Sequence, residues 1–393
     1  MYSSLEGFEL LLFSTALLAV VYPYTIYPAI LWAWSRAKGT RRQVGELRIL
    51  ASFTVLIPAR NEALVIAAKL ENTLQACRAT GLPWQIVVVS DASTDRTCEL
   101  VRSFESQVKL VELPSRTGIV GAFRAGLAVA SGDVVVFSDA DIMLAPDTLA
   151  WLLKGFETSA VGGVCGRTSM VVQSGSGLHA EKINVFLRSW VREKQSDLYS
   201  SIGADGANWA IRRELIRLPE KALLGDDLVI PLEVIHQGFR YLYEPRARAV
   251  ETSPESVEFE FRRKVRTIKG GLQAALQCPW MFSWEFWPAG FHYLSWKVGK
   301  HLVPVWVMVL CLVTGLLSLK VPLFRSLLIF ESSGAILILI CGGLRRISGG
   351  PLFVASSAIW YLFIANLAAV VAIVELLVAP HTAVWAAAPR APR

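Results

Sequence analysis

The chain has 393 residues, 53% of them hydrophobic and only 18% charged, with a formal net charge of +7. That balance excludes an ordinary soluble protein. No zinc-finger spacing, RNA-binding aromatic motif or long basic run accompanies the charge, so nucleic acid is not expected as a partner; basic residues beside apolar stretches suit anionic membrane lipids instead.

Residues 10–34 carry no charged side chain, a stretch about 37 Å long if helical, enough to span a bilayer with tilt. Glu6 and Glu9 precede it, and Arg36, Lys38, Arg41 and Arg42 follow. These flanks fit an uncleaved span with its basic side in the cytoplasm rather than a signal peptide. Beyond it the chain alternates: strand "FTVLIP" (53–58), helix 63–79, strand "QIVVVS" (85–90), helix 96–104, strand "VKLVEL" (108–113), helix 120–130, strand "DVVVFSDAD" (133–141). The alternation predicts a parallel α/β sheet with crossover helices, whose ligands sit beyond the carboxyl ends of the strands. "PARNE" (58–62), "SDASTD" (90–95) and "SDAD" (138–141) each fall at such an end.

The aromatic-rich residues 279–296 are expected to lie on the membrane surface. Three more spans follow at 302–319, 326–344 and 352–378, with Glu331 and Glu375 near their ends. Four spans place Arg345 and Arg346 inside and Lys320 and Arg325 in a short outer loop, a strain on the charge rule. The division expected is therefore an N-terminal transmembrane helix (1–35), a cytoplasmic domain (36–250), an interfacial segment (251–300), three transmembrane helices (301–379) and a disordered tail (380–393). The six cysteines are scattered, with no Cys-x-x-Cys pair, as suits reduced thiols.

The chemistry gathers on acids and arginines. Asp139 and Asp141, two apart after a buried strand, project to one side if the extended geometry continues. Two such carboxylates repel unless something positive sits between them, and a divalent cation carrying phosphate oxygens is the natural candidate. "LLGDDLVIP" (223–231) offers a second pair, Asp226 and Asp227, for base work, because burial and a neighbouring negative charge raise a carboxylate's pKa toward a useful range. Arg263 and Arg266, in the basic run 262–269, suit phosphate oxygens, with a solvated or lipid-facing basic helix face as the lesser rival, more so for Arg263 than for Arg266. Asp205 and Trp209 in "GADGANWAIRR" (203–213), together with Asp226, are candidates for acceptor contact, although Gly203 and Gly206 also suit an ordinary turn.

Residues 53–271 resemble a membrane-bound glycosyltransferase family 2 domain, related to cellulose, chitin and hyaluronan synthases. The resemblance is carried in order by "IPARNE", "VVVSDASTD", "FSDAD", "GDD" (225–227) with "GFRYLYEP" after it, and "RRKVR" (262–266). It implies a nucleotide-diphospho-sugar transferase fold of GT-A type. It implies that Asp91 contacts the base or ribose of a nucleotide sugar, with Pro58, Arg60, Glu62 and Gly118 also on the donor. Asp139 and Asp141 would then hold Mg2+ or Mn2+ and the diphosphate, with Arg263 and Arg266 on the diphosphate. Asp227, eleven residues before Gly238, takes the family's catalytic-base position, and Asp226 stands where glutamate is usual. Two departures stand out: Ile119 and Arg124 replace the family's lysine and asparagine, and Thr267 replaces a tryptophan that stacks on the acceptor in processive synthases.

The function expected is an inverting, metal-dependent transferase, multi-pass in the inner membrane, moving sugar from a nucleotide sugar, a UDP-sugar by preference, to a lipid-linked or surface-glycan acceptor. Its rivals are a processive polysaccharide synthase, which Thr267 argues against, and a catalytically silent scaffold or nucleotide-sensing subunit, which the carboxylates at 91, 139, 141 and 227 argue against.

Overall fold

The computed structural model describes residues 4–38, 46, 50–171, 178–204, 206, 208–220, 224–252, 257–344 and 351–378. The basic pairs 41–42 and 345–346, Asp205 and the tail lie outside the described residues.

The chain begins with α1 (Ser4–Val21) and α2 (Tyr27–Lys38), joined by a π-helical turn at Tyr22–Ile26. Pro23 and Pro28 lack the N–H that a regular α-helix would use, which accounts for the local change of hydrogen-bond pattern. The domain then runs β1 (Phe53–Ala59), α3 (Ile66–Arg78), β2 (Trp84–Asp91), α4 (Thr97–Arg102), β3 (Val108–Leu113), α5 (Gly118–Leu127), β4 (Val134–Phe137), β5 (Ile142–Leu144), α6 (Thr148–Lys154), β6 (Val161–Val171), α7 (Leu178–Leu198), β7 (Trp209–Arg212), α8 (Asp226–His236) and β8 (Arg240–Thr252). After it come α9 (Val257–Gln277), α10 (Trp287–His292), α11 (Gly299–Ser318), α12 (Pro322–Leu344) and α13 (Pro351–Val378).

The eight strands form one sheet in the order β3-β2-β1-β4-β7-β6-β8-β5. β1 to β4 are mutually parallel where paired, as the alternating pattern predicts. Beyond β4 the sheet becomes mixed, with β7 antiparallel to β4, β6 antiparallel to β7 and β5 antiparallel to β8. The parallel expectation is corrected there because the chain leaves β4 by a turn instead of a crossover helix. Alternation fills both faces: Val134 and Val136 enter one core with Phe53, Val55 and Ile57, and Val135 and Phe137 enter the other with Leu56 and Trp209.

Among the described residues, four helical stretches are long and apolar enough to cross a membrane: Gly7–Lys38, Trp287–Ser318, Pro322–Leu344 and Ile359–Val378. One precedes the domain and three follow, as expected, and large apolar side chains such as Phe330 and Leu312 stand exposed on them to face lipid. Lys320, anomalous by the charge rule, pairs with Glu9 at 2.8 Å, and Glu331 accepts a hydrogen bond from Thr314 at 3.0 Å. The domain is bolted to the first two spans by a polar network: Gln195 of α7 donates to the Tyr27 hydroxyl (2.8 Å), which shares a hydrogen bond with His292 Nδ1 (2.9 Å), and Tyr22 bonds Ser295 (2.8 Å). The amphipathic helix α9 lies against α13 through Val265 and Ile268 on Ala368, Ala369 and Ala372, small residues that permit close approach.

Candidate active site

The ends of β1 and β2 are fastened to each other. Asn61 Oδ1 accepts from the Thr94 amide (2.8 Å), the Glu62 amide donates to Thr97 Oγ1 (2.8 Å), and the Ala63 amide donates to Asp95 Oδ2 (3.1 Å). Asn61 and Ala92 adopt φ of 54° and 53°, a left-handed conformation that non-glycine residues take at a cost, here where the two loops turn into the crevice. Pro58 and Arg60 are half-buried at this edge, and Arg60 Nε is buried without a hydrogen-bond partner in the protein. Asp91, at the last position of β2, accepts from the Thr117 amide (2.6 Å), the Gly118 amide (2.9 Å) and Thr117 Oγ1 (3.1 Å). Its carboxylate thereby fixes the start of α5, where Gly118 takes φ of 75°.

β4 ends at Phe137, and the chain turns at once, with the Ile142 amide donating to the Asp139 carbonyl at 3.3 Å. The straight-strand assumption for Asp139 and Asp141 is thus corrected: a turn, not alternation, sets their relation. They remain close enough for Asp141 to act on Asp139. Asp139 is open to solvent yet recessed among protein atoms. That recess, with the charges of Asp141, Asp226 and Glu251, holds its carboxyl well above the usual range, while Lys69 opposes the shift. Lys69 is fully buried beneath the turn and donates to Ser138 Oγ (2.7 Å) and to the Ile142 carbonyl (2.6 Å), so one ammonium brackets the Asp-Ala-Asp sequence from both sides. Burial pushes Lys69 down to about 7, and the nearby aspartates limit the fall.

Asp226 and Asp227 open α8, the positive end of a helix, where acids are favoured. Burial and the Asp227 charge push the Asp226 carboxyl up to about 7, and Arg266 pulls the other way. Arg266, on α9, feels Asp226, Asp139 and Asp227 together, so the helix brings the strand-end pair and the helix-start pair to one guanidinium. Arg263, one turn earlier, lies 3.6 Å from Glu251 of β8. α9 comes this close because Gly270 packs backbone to backbone against the turn before α8: a Cβ there would sit 2.5 Å from the Leu224 carbonyl oxygen.

Trp209 is not in this group. It is buried with its ring stacked on Phe137, centroids 3.9 Å apart at 13°, and so belongs to the core. Thr267 is on the exposed face of α9, and Trp280 stacks on His236 at 4.3 Å. Ile119 packs against the core, while Arg124 donates to the Pro219 carbonyl at 3.2 Å. Sequence reasoning missed Lys69, Glu251 and Gly270. Only Lys69 left a signal, a lysine spaced with Ile66, Leu70 and Thr73 on the buried face of α3.

Among the described residues, no three His, Cys, Asp or Glu side chains gather in a way that would hold an ion unaided. Asp139 and Asp141 supply two hard oxygen donors in a crowd of carboxylates, which fits Mg2+ or Mn2+, ions that complete their shells with water and substrate phosphate.

Residues 54–218 match the family model for Glycosyl transferase family 2. They are a glycosyl transferase family 2 domain. The chain is 26% identical over 247 residues to the probable glycosyltransferase YdaM of Bacillus subtilis, covering 59% of this chain and 58% of that one. It is 36% identical over 109 residues to an undecaprenyl-phosphate 4-deoxy-4-formamido-L-arabinose transferase of Pectobacterium carotovorum, covering 27% of this chain and 33% of that one. The matches thus span less than two thirds of these relatives. A solved mannosyltransferase of Pyrobaculum calidifontis, in complex with GDP-Man and Mn2+, superposes with a TM-score of 0.66 over 93% of this chain and 99% of its own, at 21% identity. The family 2 domain therefore has the GT-A type fold expected from the sequence. The family match ends before Asp226, Asp227, Arg263 and Arg266, which the fold brings to its crevice.

Proposed function

We propose that the chain is a membrane-embedded, metal-dependent, inverting glycosyltransferase that moves a sugar from a nucleotide sugar, a UDP-sugar by preference, to a lipid-linked or surface-glycan acceptor. The observation that carries this reading is the convergence on Arg266 of Asp139 with Asp226 and Asp227, at the carboxyl ends of the strands of a family 2 domain. Breaking the bond between sugar and diphosphate needs negative charge stabilised on the leaving group. Mg2+ or Mn2+ held by Asp139 and Asp141 would supply that as a Lewis acid.

The remaining roles fall to the chain's own side chains. Asp91, by fixing Thr117 and Gly118, shapes the floor for the nucleoside, with Pro58, Arg60 and Glu62 along its edge. Arg266 and Arg263 offer guanidinium hydrogen bonds to phosphate oxygens. Asp227 takes the proton from the acceptor hydroxyl as its oxygen attacks the anomeric carbon from the side opposite the diphosphate, a single displacement that inverts configuration. Burial beside Asp227 makes Asp226 hold its proton more readily than an ordinary carboxyl, which eases the repulsion between the two acids at the start of α8. The lipid acceptor is supported by the apolar helices on both sides of the domain and by the named substrate of the undecaprenyl-phosphate relative. The metal and the nucleotide-sugar donor are supported by the complex of the mannosyltransferase that shares the fold. Arg36 and Lys38 at the end of the first span support a cytoplasmic site on the inner membrane.

Purified protein in nanodiscs, given UDP-, GDP- and dTDP-sugars with membrane lipid extract and Mn2+, should release free nucleoside diphosphate from one donor class. No release from any of them overturns the proposal.

A further inference from the structure

The turn that carries Asp139 and Asp141 is held from beneath by one helix. Across residues 138–142 the buried positions are Ser138, Ala140 and Ile142, each at most 3% exposed, and the two acids are the positions left toward solvent. Ala140 and Ile142 share a core with Ile66 and Leu70 of α3. From that helix Lys69, fully buried, donates to Ser138 Oγ at 2.7 Å and to the Ile142 carbonyl at 2.6 Å. Three residues on, Asn72 closes on Leu144: its Nδ2 donates to the Leu144 carbonyl at 2.9 Å, and its Oδ1 accepts from the Leu144 amide at 2.8 Å. β5 is the last strand of the sheet, with β8 along one side, so the Asn72 carboxamide stands in for a strand neighbour on the other.

Burying an ammonium costs free energy that an apolar side chain of the same length would not. Here its bonds run to the two flanks of the turn and not to Asp139 or Asp141. Position is therefore what the lysine supplies. Asn72 acts likewise without a charge, on the same face of α3. Two carboxylates hold a divalent cation only when kept at the spacing the ion demands, and Mg2+ tolerates little departure from its octahedron.

Resting on the metal reading of Asp139 and Asp141 above, we infer that Lys69 and Asn72 are positioning residues for the metal. α3 clamps both feet of the turn, so that the two carboxylates meet one cation at a fixed spacing. Removing Lys69 has two opposed effects. Loss of a positive charge beneath the acids would by itself tighten cation binding. Release of the turn loosens it, and partners that orient ligating groups are worth about 10- to 100-fold in metal affinity. Release prevails in this assignment, and Asn72→Ala isolates it because no charge changes.

The test titrates Mn2+ into the full chain in nanodiscs, alone and with UDP or GDP. Free ion is counted by electron paramagnetic resonance, and thermal unfolding is followed on the same samples. The wild type should show a saturable site that Asp141→Asn removes. Asn72→Ala and Lys69→Met should each weaken that site by about tenfold or more, and the double variant should lose less than the product of the two, since both act on one turn. Leu74→Ala, in the core on the same helix, should melt several degrees lower yet bind Mn2+ as the wild type does, which separates positioning from stability. Unchanged affinity in Asn72→Ala, or tighter binding in Lys69→Met, overturns the inference, as does an equal loss in Leu74→Ala. If Lys69→Met does not fold, Asn72→Ala, at a half-buried position, decides alone. A wild type without a saturable Mn2+ site removes the metal reading and this inference together, whereas a wild-type site that these variants leave intact removes this inference only.

Discussion

Gly270→Ala tests whether α9 is pressed against the turn that carries Asp226 and Asp227. A Cβ at position 270 would lie 2.5 Å from the Leu224 carbonyl oxygen, where ordinary contact begins at 3.4 Å, and 2.9 Å from the Gly225 nitrogen. The obstacle is backbone, which cannot rotate aside, so α9 and the turn must part by about 0.9 Å, an overpacking that costs about 1–3 kcal/mol. Alanine regains about 1 kcal/mol of that through helix propensity, so the net loss of stability is small. Arg266 rides on the moving helix and Asp226 and Asp227 stay with the turn; a misplacement near 1 Å between reacting groups costs about 10²-fold in rate. Gly271→Ala is the internal control, because a Cβ there meets nothing within 4 Å. Thermal unfolding in detergent and transfer assays on both variants should give Gly270→Ala a melting temperature within a few degrees of the wild type and about a hundredfold less transfer, with Gly271→Ala unchanged or slightly stabilised. Full transfer by Gly270→Ala would show that close approach of α9 does not align the site.

Asp227→Asn keeps shape but cannot accept the acceptor's proton, so transfer should fall by about 10²- to 10⁴-fold while donor affinity, measured by calorimetry, stays nearly constant; a dead Asp226→Asn beside an active Asp227→Asn would reverse the assignment. Asp226 also predicts a pH signature in the metal-free protein. Its folded-state carboxyl is raised to about 7 against an ordinary 3.8, so the folded protein keeps a proton that the unfolded chain has lost between these values, and stability from this group declines as pH rises through that window. Asp226→Asn should therefore melt close to the wild type at pH 4 and above it at pH 8, and a pH-independent difference would contradict this. Transfer should stop in excess EDTA and return with Mn2+, and Asp141→Asn should lose activity while circular dichroism stays native; undiminished transfer in EDTA excludes the metal role.

The parallel half of the sheet was legible because Val134 to Phe137 and Ile86 to Val89 are apolar on both faces, a pattern that only helices on both sides satisfy. The polar strand ends gave the crevice for the same reason, since their residues are adjacent in sequence to recognisable strands. The mixed half was less legible: β7 and β8 derive their direction from tertiary pairing, and an apolar tryptophan such as Trp209 reads alike as a sugar platform or as core. Lys69, Glu251 and Gly270 act through partners on other elements of the fold, such as Ile142 for Lys69, Arg263 for Glu251 and Leu224 for Gly270, and of the three only Lys69, by its place on the apolar face of α3, leaves a local trace.

Mass balance of the transferred sugar tests the central claim most directly. The donor identified from the nucleotide-sugar panel, labelled with 14C in its sugar, is incubated with the protein, Mn2+ and lipid extract, and the label in the organic phase is compared with the nucleotide released. A glycosyltransferase with a lipid acceptor should move label into the lipid phase one for one with nucleoside diphosphate. Label that stays in the aqueous phase, or nucleoside monophosphate as the released product, would contradict transfer of a sugar to lipid at this site.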